Sequence, residues 1–206
     1  DGAVLVGWLQ GFYYPLLMDT LPVGYFTKLT TAGATAWGGP QETPTGGFWV
    51  REARLGSVEG GPFAAWIAQD LFVTGGESPF QIYAGAIDPS GAALLEGTLM
   101  FEEAGHRDEL VLSGFGHEAL IGALAWIDHA PKLLDPQADE EIRGAGINPD
   151  FTTAPHVHFG HPKLTPGSAA LTGTALHSNL ILSWIDHRHD GDRDPQPATY
   201  METLWY

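Results

Sequence analysis

The chain has 206 residues, with 9 Lys and Arg against 25 Asp and Glu for a formal net charge of −16; 44% of it is apolar, and it holds 27 Gly and 15 Pro. This length can bury a sizeable core, the composition is globular and turn-rich rather than disordered, and the negative charge repels phosphate backbones and anionic headgroups, so nucleic-acid binding is not expected. No cysteine is present, which removes disulfides and thiolate metal sites.

The opening run Ala3–Met18, AVLVGWLQGFYYPLLM, lacks a basic leader and contains Gln10 and Pro15. It also falls short of the ~20 apolar residues that cross a bilayer, so it reads as a buried or partner-contacting strand pair without membrane insertion. Asp1 stands where an initiator Met would, implying processing or an incomplete chain. From Leu16 to Phe48, short strands rich in Thr, Tyr and Phe are broken at Gly38-Gly39-Pro40 and at Thr43–Gly47, and a further strand spans Phe48–Leu55. Pro62–Leu71 carries apolar residues at Phe63, Trp66, Ile67 and Leu71 behind a leading proline, which predicts a short helix.

The stretch Ser78–Gly116 reads as the organising scaffold. Runs at Phe80–Ile87, Ala92–Glu102 and Glu109–Ser113 are separated by Asp88–Gly91 and Gly105–Asp108, which predicts a three-stranded antiparallel meander. Beyond it, Leu120, Ile121, Leu124 and Ile127 within His117–His129 have helical spacing, stopped by Pro131. Pro136–Arg143 reads as a charged helical turn ended by Gly144, and Ile147–Ala154 as turn and extended chain. Pro166-Gly167-Ser168 suggests a boundary, dividing a β-rich domain over 1–166 from a C-terminal β arm over 167–206. The expected fold class is therefore α+β and β-rich, with antiparallel sheets, two or three short helices and a C-terminal β-hairpin arm.

Several segments, taken in order, carry a family resemblance: Ala34–Gly39 (ATAWGG), Ala53–Val58 (ARLGSV), Pro79–Asp88 with its turn Pro89-Ser90-Gly91, Leu99-Met100-Phe101, Glu109–Leu112, and Pro131–Pro155 after the expected helix. His156–Lys163 (HVHFGHPK) falls where a strand ends in an aromatic, Gly and a basic residue. This order resembles the small tail-tip or baseplate structural proteins of tailed bacteriophages over roughly residues 16–165. The segment between Val58 and Pro62 is shorter than in that family, acidic residues or His replace most of its later basic residues, and 167–206 has no counterpart. The resemblance implies a virion location in the phage tail, other tail and baseplate proteins as partners, and a homo-oligomer within a large assembly.

Candidate chemistry is sparse. His156 and His158 form an H-x-H that, on a strand, places both imidazoles on one face. The motif looks like the closing motif of zinc-dependent peptidoglycan endopeptidases, but neither His106-Arg107-Asp108 nor His117 supplies the upstream ligands such a site needs. A structural metal held by His156, His158 and His161, or an exposed sheet face, are the other readings. Asp190, Asp192 and Asp194 alternate as at the start of a calcium loop, without that loop's glycine and distal glutamate. His117, Asp128 and His129 read as helix caps or solvated groups, Ser113 and Ser178 lack a nucleophile elbow, and the glycine-rich stretches hold no phosphate-binding motif. Trp8, Tyr13, Tyr14, Trp205 and Tyr206 near the two ends suit contacts with neighbouring subunits. The sequence therefore points to a structural tail component with no catalytic, cofactor or metal residues assigned. A zinc endopeptidase and a carbohydrate-binding tail-fibre module are the alternatives.

Overall fold

In the computed structural model, the described residues are 4–15, 19–37, 39–43, 49–58, 61–69, 80–87, 97–103, 107–115, 120–129, 141–152, 157–160, 171–176, 179–186 and 198–204. Among them every regular element is a strand, and all pairing between strands is antiparallel. The chain divides into two compact units, Asp1–Glu103 and Ala104–Tyr206. The boundary expected at 166/167 falls inside the second unit.

The first unit holds Val4–Tyr14 (β1), Asp19–Leu29 (β2), Gln41–Glu42 (β3), Trp49–Val58 (β4), Gly61–Gln69 (β5), Phe80–Ala86 (β6) and Thr98–Glu103 (β7). They form two sheets, β1-β2-β3 and β4-β5-β6-β7. Phe26 from the first sheet packs with Val50, Ala64, Trp66, Ala68 and Ile87 around the second, and Leu5, Ala53, Leu55 and Tyr83 close the cluster. Two antiparallel sheets that pack apolar faces against one shared core make a sandwich.

Proline positions follow the hydrogen-bond ladder. Gly24 directs its carbonyl toward the β3 side, where it accepts from Thr43 N at 2.8 Å. Pro22 has the same parity, so its missing N–H faces the side where β3, paired only at Tyr25 and Phe26, has already ended.

The second unit holds Arg107–Gly114 (β8), Gly122–Asp128 (β9), Glu141–Ile147 (β10), Val157–Gly160 (β11), Thr172–Leu176 (β12), Asn179–Asp186 (β13) and Ala198–Leu204 (β14). Its sheets are β11-β10-β9-β8 and β12-β13-β14. Val111, Ala123, Ala125, Ile127 and Ile142 from the first meet Leu180, Leu182 and Trp184 from the second. The C-terminal strands expected as an appended arm are thus one wall of this unit's core.

The expected helices are corrected. Pro62–Leu71 is β5 through Gln69, and His117–His129 contains β9 from Gly122 to Asp128. Both are continuous apolar runs buried on both faces, and in such runs a chance i, i+3, i+4 spacing carries no helical information. Pro62, taken as a helix start, is instead the second residue of β5, paired with Ser57 beside the β4–β5 turn, where its carbonyl accepts from Ile87 N at 2.9 Å. Of Pro136–Arg143, the residues from Glu141 onward enter β10, and 136–140 lie outside the described residues. The α+β class is therefore replaced by an all-β one.

The expected meander is also redistributed. β6 and β7 do pair, but the third run is β8, which pairs with β9 in the other unit. The turn at Asp88–Gly91 lies outside the described residues.

β5 and β9 share a device. Ala65-Trp66-Ile67 and Ala125-Trp126-Ile127 occupy the second strand in chain order of each four-stranded sheet, and all six residues are fully buried. On the face of Trp66 the strand carries Ala64 and Ala68, which leave volume for the ring, and each buried tryptophan contributes several kcal/mol of apolar transfer. Around Trp66 the fit leaves no slack, since a Cβ added at Gly97 would fall on the Cη2 and Cζ2 atoms of its indole. Gly97→Ala is therefore expected to cost about 1–3 kcal/mol, lowering the melting temperature by several degrees. Gly39→Ala, which meets no atom within 4 Å, should melt like the wild type. Differential scanning calorimetry of the two variants decides it.

Candidate functional site

Among the described residues the chain offers two unusual features: an uncovered strand edge in the first unit and a buried charge cluster in the second. The strand is β1. It is the terminal strand of its sheet, and it runs in unbroken register against β2 from Val4↔Leu29 to Tyr14↔Asp19. Its sequence VLVGWLQGFYY has no Asp, Glu, Lys, Arg, His or Pro. Edge strands in soluble proteins are normally blunted by charge, proline, bulge or shortness, because a bare row of N–H and C=O groups invites a further strand. β1 has none of these protections. Its apolar side chains are also poorly covered: Val4 is 57% exposed, Leu9 40%, Phe12 39% and Tyr13 63%.

Beside this edge lies a cleft of about 310 Å³ lined by Gly7, Trp8 and Leu9 of β1, Phe26 of β2, and Ala53, Arg54 and Leu55 of β4. Neighbouring side chains on a strand point to opposite faces, so three consecutive residues can line one cleft only if it runs along the strand's edge. This holds for both β1 and β4, each the terminal strand of its sheet. The cleft is the gap between two sheet edges. Gly7 lets the Phe26 ring pack directly over the backbone at the inner wall, since a Cβ there would lie 2.7 Å from that ring and 3.3 Å from Leu55 Cδ1. Trp8 stacks on its cross-strand partner Tyr25, with centroids 5.7 Å apart. Arg54 donates from Nη1 to the carbonyl of Ala53 at 3.0 Å and pairs through Nη2 with Glu52.

In the second unit, Arg107, Asp128 and Glu141 stand side by side on β8, β9 and β10. Asp128 Oδ2 lies 3.4 Å from Arg107 Nη2 and 3.3 Å from Arg143 Nε, and Arg143 Nε lies 3.0 Å from Glu141 Oε2. The side chains of Arg107 and Asp128 are wholly buried. Asp128 is thus neither a helix cap nor a solvated group: it ends β9, on the face that also carries Trp126. A register shift between Asp108 and Val111, with Glu109 at φ 54°, brings Arg107 level with it. Two cations and two anions in mutual contact balance one another, so the cluster ties three strands together and offers no free acid or base.

A smaller polar chain runs across β6 and β7. Tyr83, stacked on Trp66 at 5.8 Å, donates its hydroxyl to Gln81 Oε1 at 2.8 Å, and Gln81 Nε2 donates to Glu102 Oε1 at 2.6 Å. Burial, and secondarily the negative charge of Glu102, raise the Tyr83 pKa above its ordinary value.

Of the residues singled out from sequence, His158 lies on β11 opposite Arg143, and Ser113 is buried in β8. His106, His117, His156, His161, Ser178, Asp190, Asp192, Asp194, Trp205 and Tyr206 lie outside the described residues. Trp8 and Tyr13 both belong to the β1 edge. Among the described residues, no three His, Asp or Glu side chains converge as metal ligands, and no helix is long and apolar enough to cross a membrane. The cleft and the charge cluster were missed from sequence, although the Asp closing the buried run Ala123–Asp128 was a visible signal once that run is taken as a strand. No protein-family model matches the chain, and no curated protein matches it.

Removing the Asp128 charge takes an ionic partner from the wholly buried Arg107 and from Arg143. Asp128→Asn is expected to cost about 3–5 kcal/mol, whereas the double replacement Arg107→Met with Asp128→Leu should recover much of that loss, as read by urea denaturation. Tyr83 sets the alkaline behaviour. Its folded pKa is raised, so its contribution is complete below the ordinary value of about 10 and is lost as pH rises through the folded value. Tyr83→Phe should flatten stability against pH above about 10, which melting curves from pH 8 to 11 would reveal.

Proposed function

We propose that this chain is a non-catalytic assembly protein that docks to neighbouring subunits, copies of itself included, by adding β1 to a strand of its partner. The observation that carries the reading is the edge of β1: eleven residues in unbroken register, uncharged, with exposed apolar side chains at Val4, Leu9, Phe12 and Tyr13. In strand addition the main-chain ladder supplies affinity and alternate side chains supply selectivity, and β1 offers both. Charge favours the same surface. Chains of formal charge −16 repel one another, so contact through an uncharged strand is the route of least electrostatic cost.

The setting we propose is a phage tail tip or baseplate, on the resemblance in order of turns and strands. That resemblance has lost one support, because the segment matched after a helix follows strand β9 instead. What remains is the all-β scaffold and its open edge.

Sedimentation velocity over a wide concentration range, joined to amide hydrogen exchange, tests the assembly reading. The wild type is expected to associate with protection spreading over 4–14, and Val4→Lys with Phe12→Lys to stay monomeric at an unchanged melting temperature. A wild type that remains monomeric with fast-exchanging β1 amides at every concentration, or a charged variant that associates equally well, would sink it.

A further inference from the structure

The cleft between β1 and β4 has an organisation beyond that of a surface dent. On β1 the odd-numbered residues face inward, as Leu5 does in joining the core, so Gly7 and Leu9 point into the gap while Trp8 points out. On β4, Ala53 and Leu55 join the same core and Arg54 points out. The interior is therefore apolar, made of Gly7, Leu9, Phe26, Ala53 and Leu55, with an indole at one lip and a guanidinium at the other. Leu9 is 40% exposed although it faces inward, which means the gap beside it is unfilled.

The polar lip selects charge. β4 carries Arg51 and Arg54 against Glu52, one positive charge in excess in a chain that has only 9 basic residues. Arg51 is turned to Gln69, which accepts from its Nε and Nη2 at 3.1 and 2.9 Å. Arg54, bound to Glu52 and the Ala53 carbonyl, has its side chain 46% exposed and N–H groups directed elsewhere than those two contacts. A guanidinium so held is a preset donor for a carboxylate. At about 310 Å³ the gap is at the small end of ligand pockets, room for one or two fused rings. No side chain lining it is a nucleophile or a general base, so occupancy means binding and not turnover.

We propose that this cleft is a binding site for a small aromatic carboxylate, its flat ring lying against Leu9, Ala53 and Leu55 and its carboxylate on Arg54. The site shares the β1 edge with partner docking, so a strand added at β1 is expected to hinder access to it.

The test is titration of the full chain with naphthalene-2-carboxylate, naphthalene-2-methanol and 2-naphthylmethylammonium, followed by calorimetry and amide shifts. The carboxylate is expected to bind with sub-millimolar affinity, about tenfold tighter than the alcohol and tighter still than the cation, shifting the amides of 7–9 and 53–55. Arg54→Met should remove the advantage of the carboxylate over the alcohol, Arg54→Lys should keep part of it, and Ala53→Phe should abolish binding of all three. Arg54 lies on the outer face, so melting temperature verifies that its variants fold. Equal affinity for the three probes, shifts away from the cleft, insensitivity to Arg54→Met, or no binding at millimolar probe would each overturn the assignment. The Val4→Lys and Phe12→Lys pair tests assembly at positions that do not line the cleft, so the two readings can fail separately.

Discussion

Burial of an indole on a strand that is itself covered on both sides is the constraint from which both units are built. Trp66 and Trp126 sit in β5 and β9, each flanked by alanine and isoleucine, and each strand is closed to solvent on both faces. A strand of this kind cannot be an edge, and its neighbours must bring small or flat groups to the ring. In the first unit Gly97 and Tyr83 do so. The four-stranded sheets follow from having a partner on each side of these strands, and the three-stranded sheets follow from the apolar face left over.

The same constraint explains what the sequence hid. Alternation identified β6 and β8 because one side of each is more polar than the other. It failed for β5 and β9, where Phe63-Ala64-Ala65-Trp66-Ile67-Ala68 and Ala123-Leu124-Ala125-Trp126-Ile127 present no polar phase to count. The spaced leucines and isoleucines around β9 then imitated a helix. Repetition of Ala-Trp-Ile, and of Trp-Ile-Asp-His at 126–129 and 184–187, was the available hint that these runs are equivalent strands.

The candidate sites were legible to different degrees. That the N-terminal apolar run carries no charge was readable in the sequence, and the structure adds that it is a terminal strand whose outer rim is bare among the described residues. The cleft depends on two sheet edges from segments far apart in sequence, so neither Gly7 nor Arg54 carries a local sign of it. The charge cluster depends on register: Arg107, Asp128 and Glu141 become neighbours only when β8, β9 and β10 align, and the shift after Asp108 sets that alignment.

Pro22 has a consequence for how large an assembly could grow through this sheet. It strips a donor from the far rim of β2 just beyond the short reach of β3, so recruitment on that side is interrupted where recruitment at β1 is not. Among the described residues β1 is therefore the longer unbroken margin, and two molecules joined through it would form a two-fold pair.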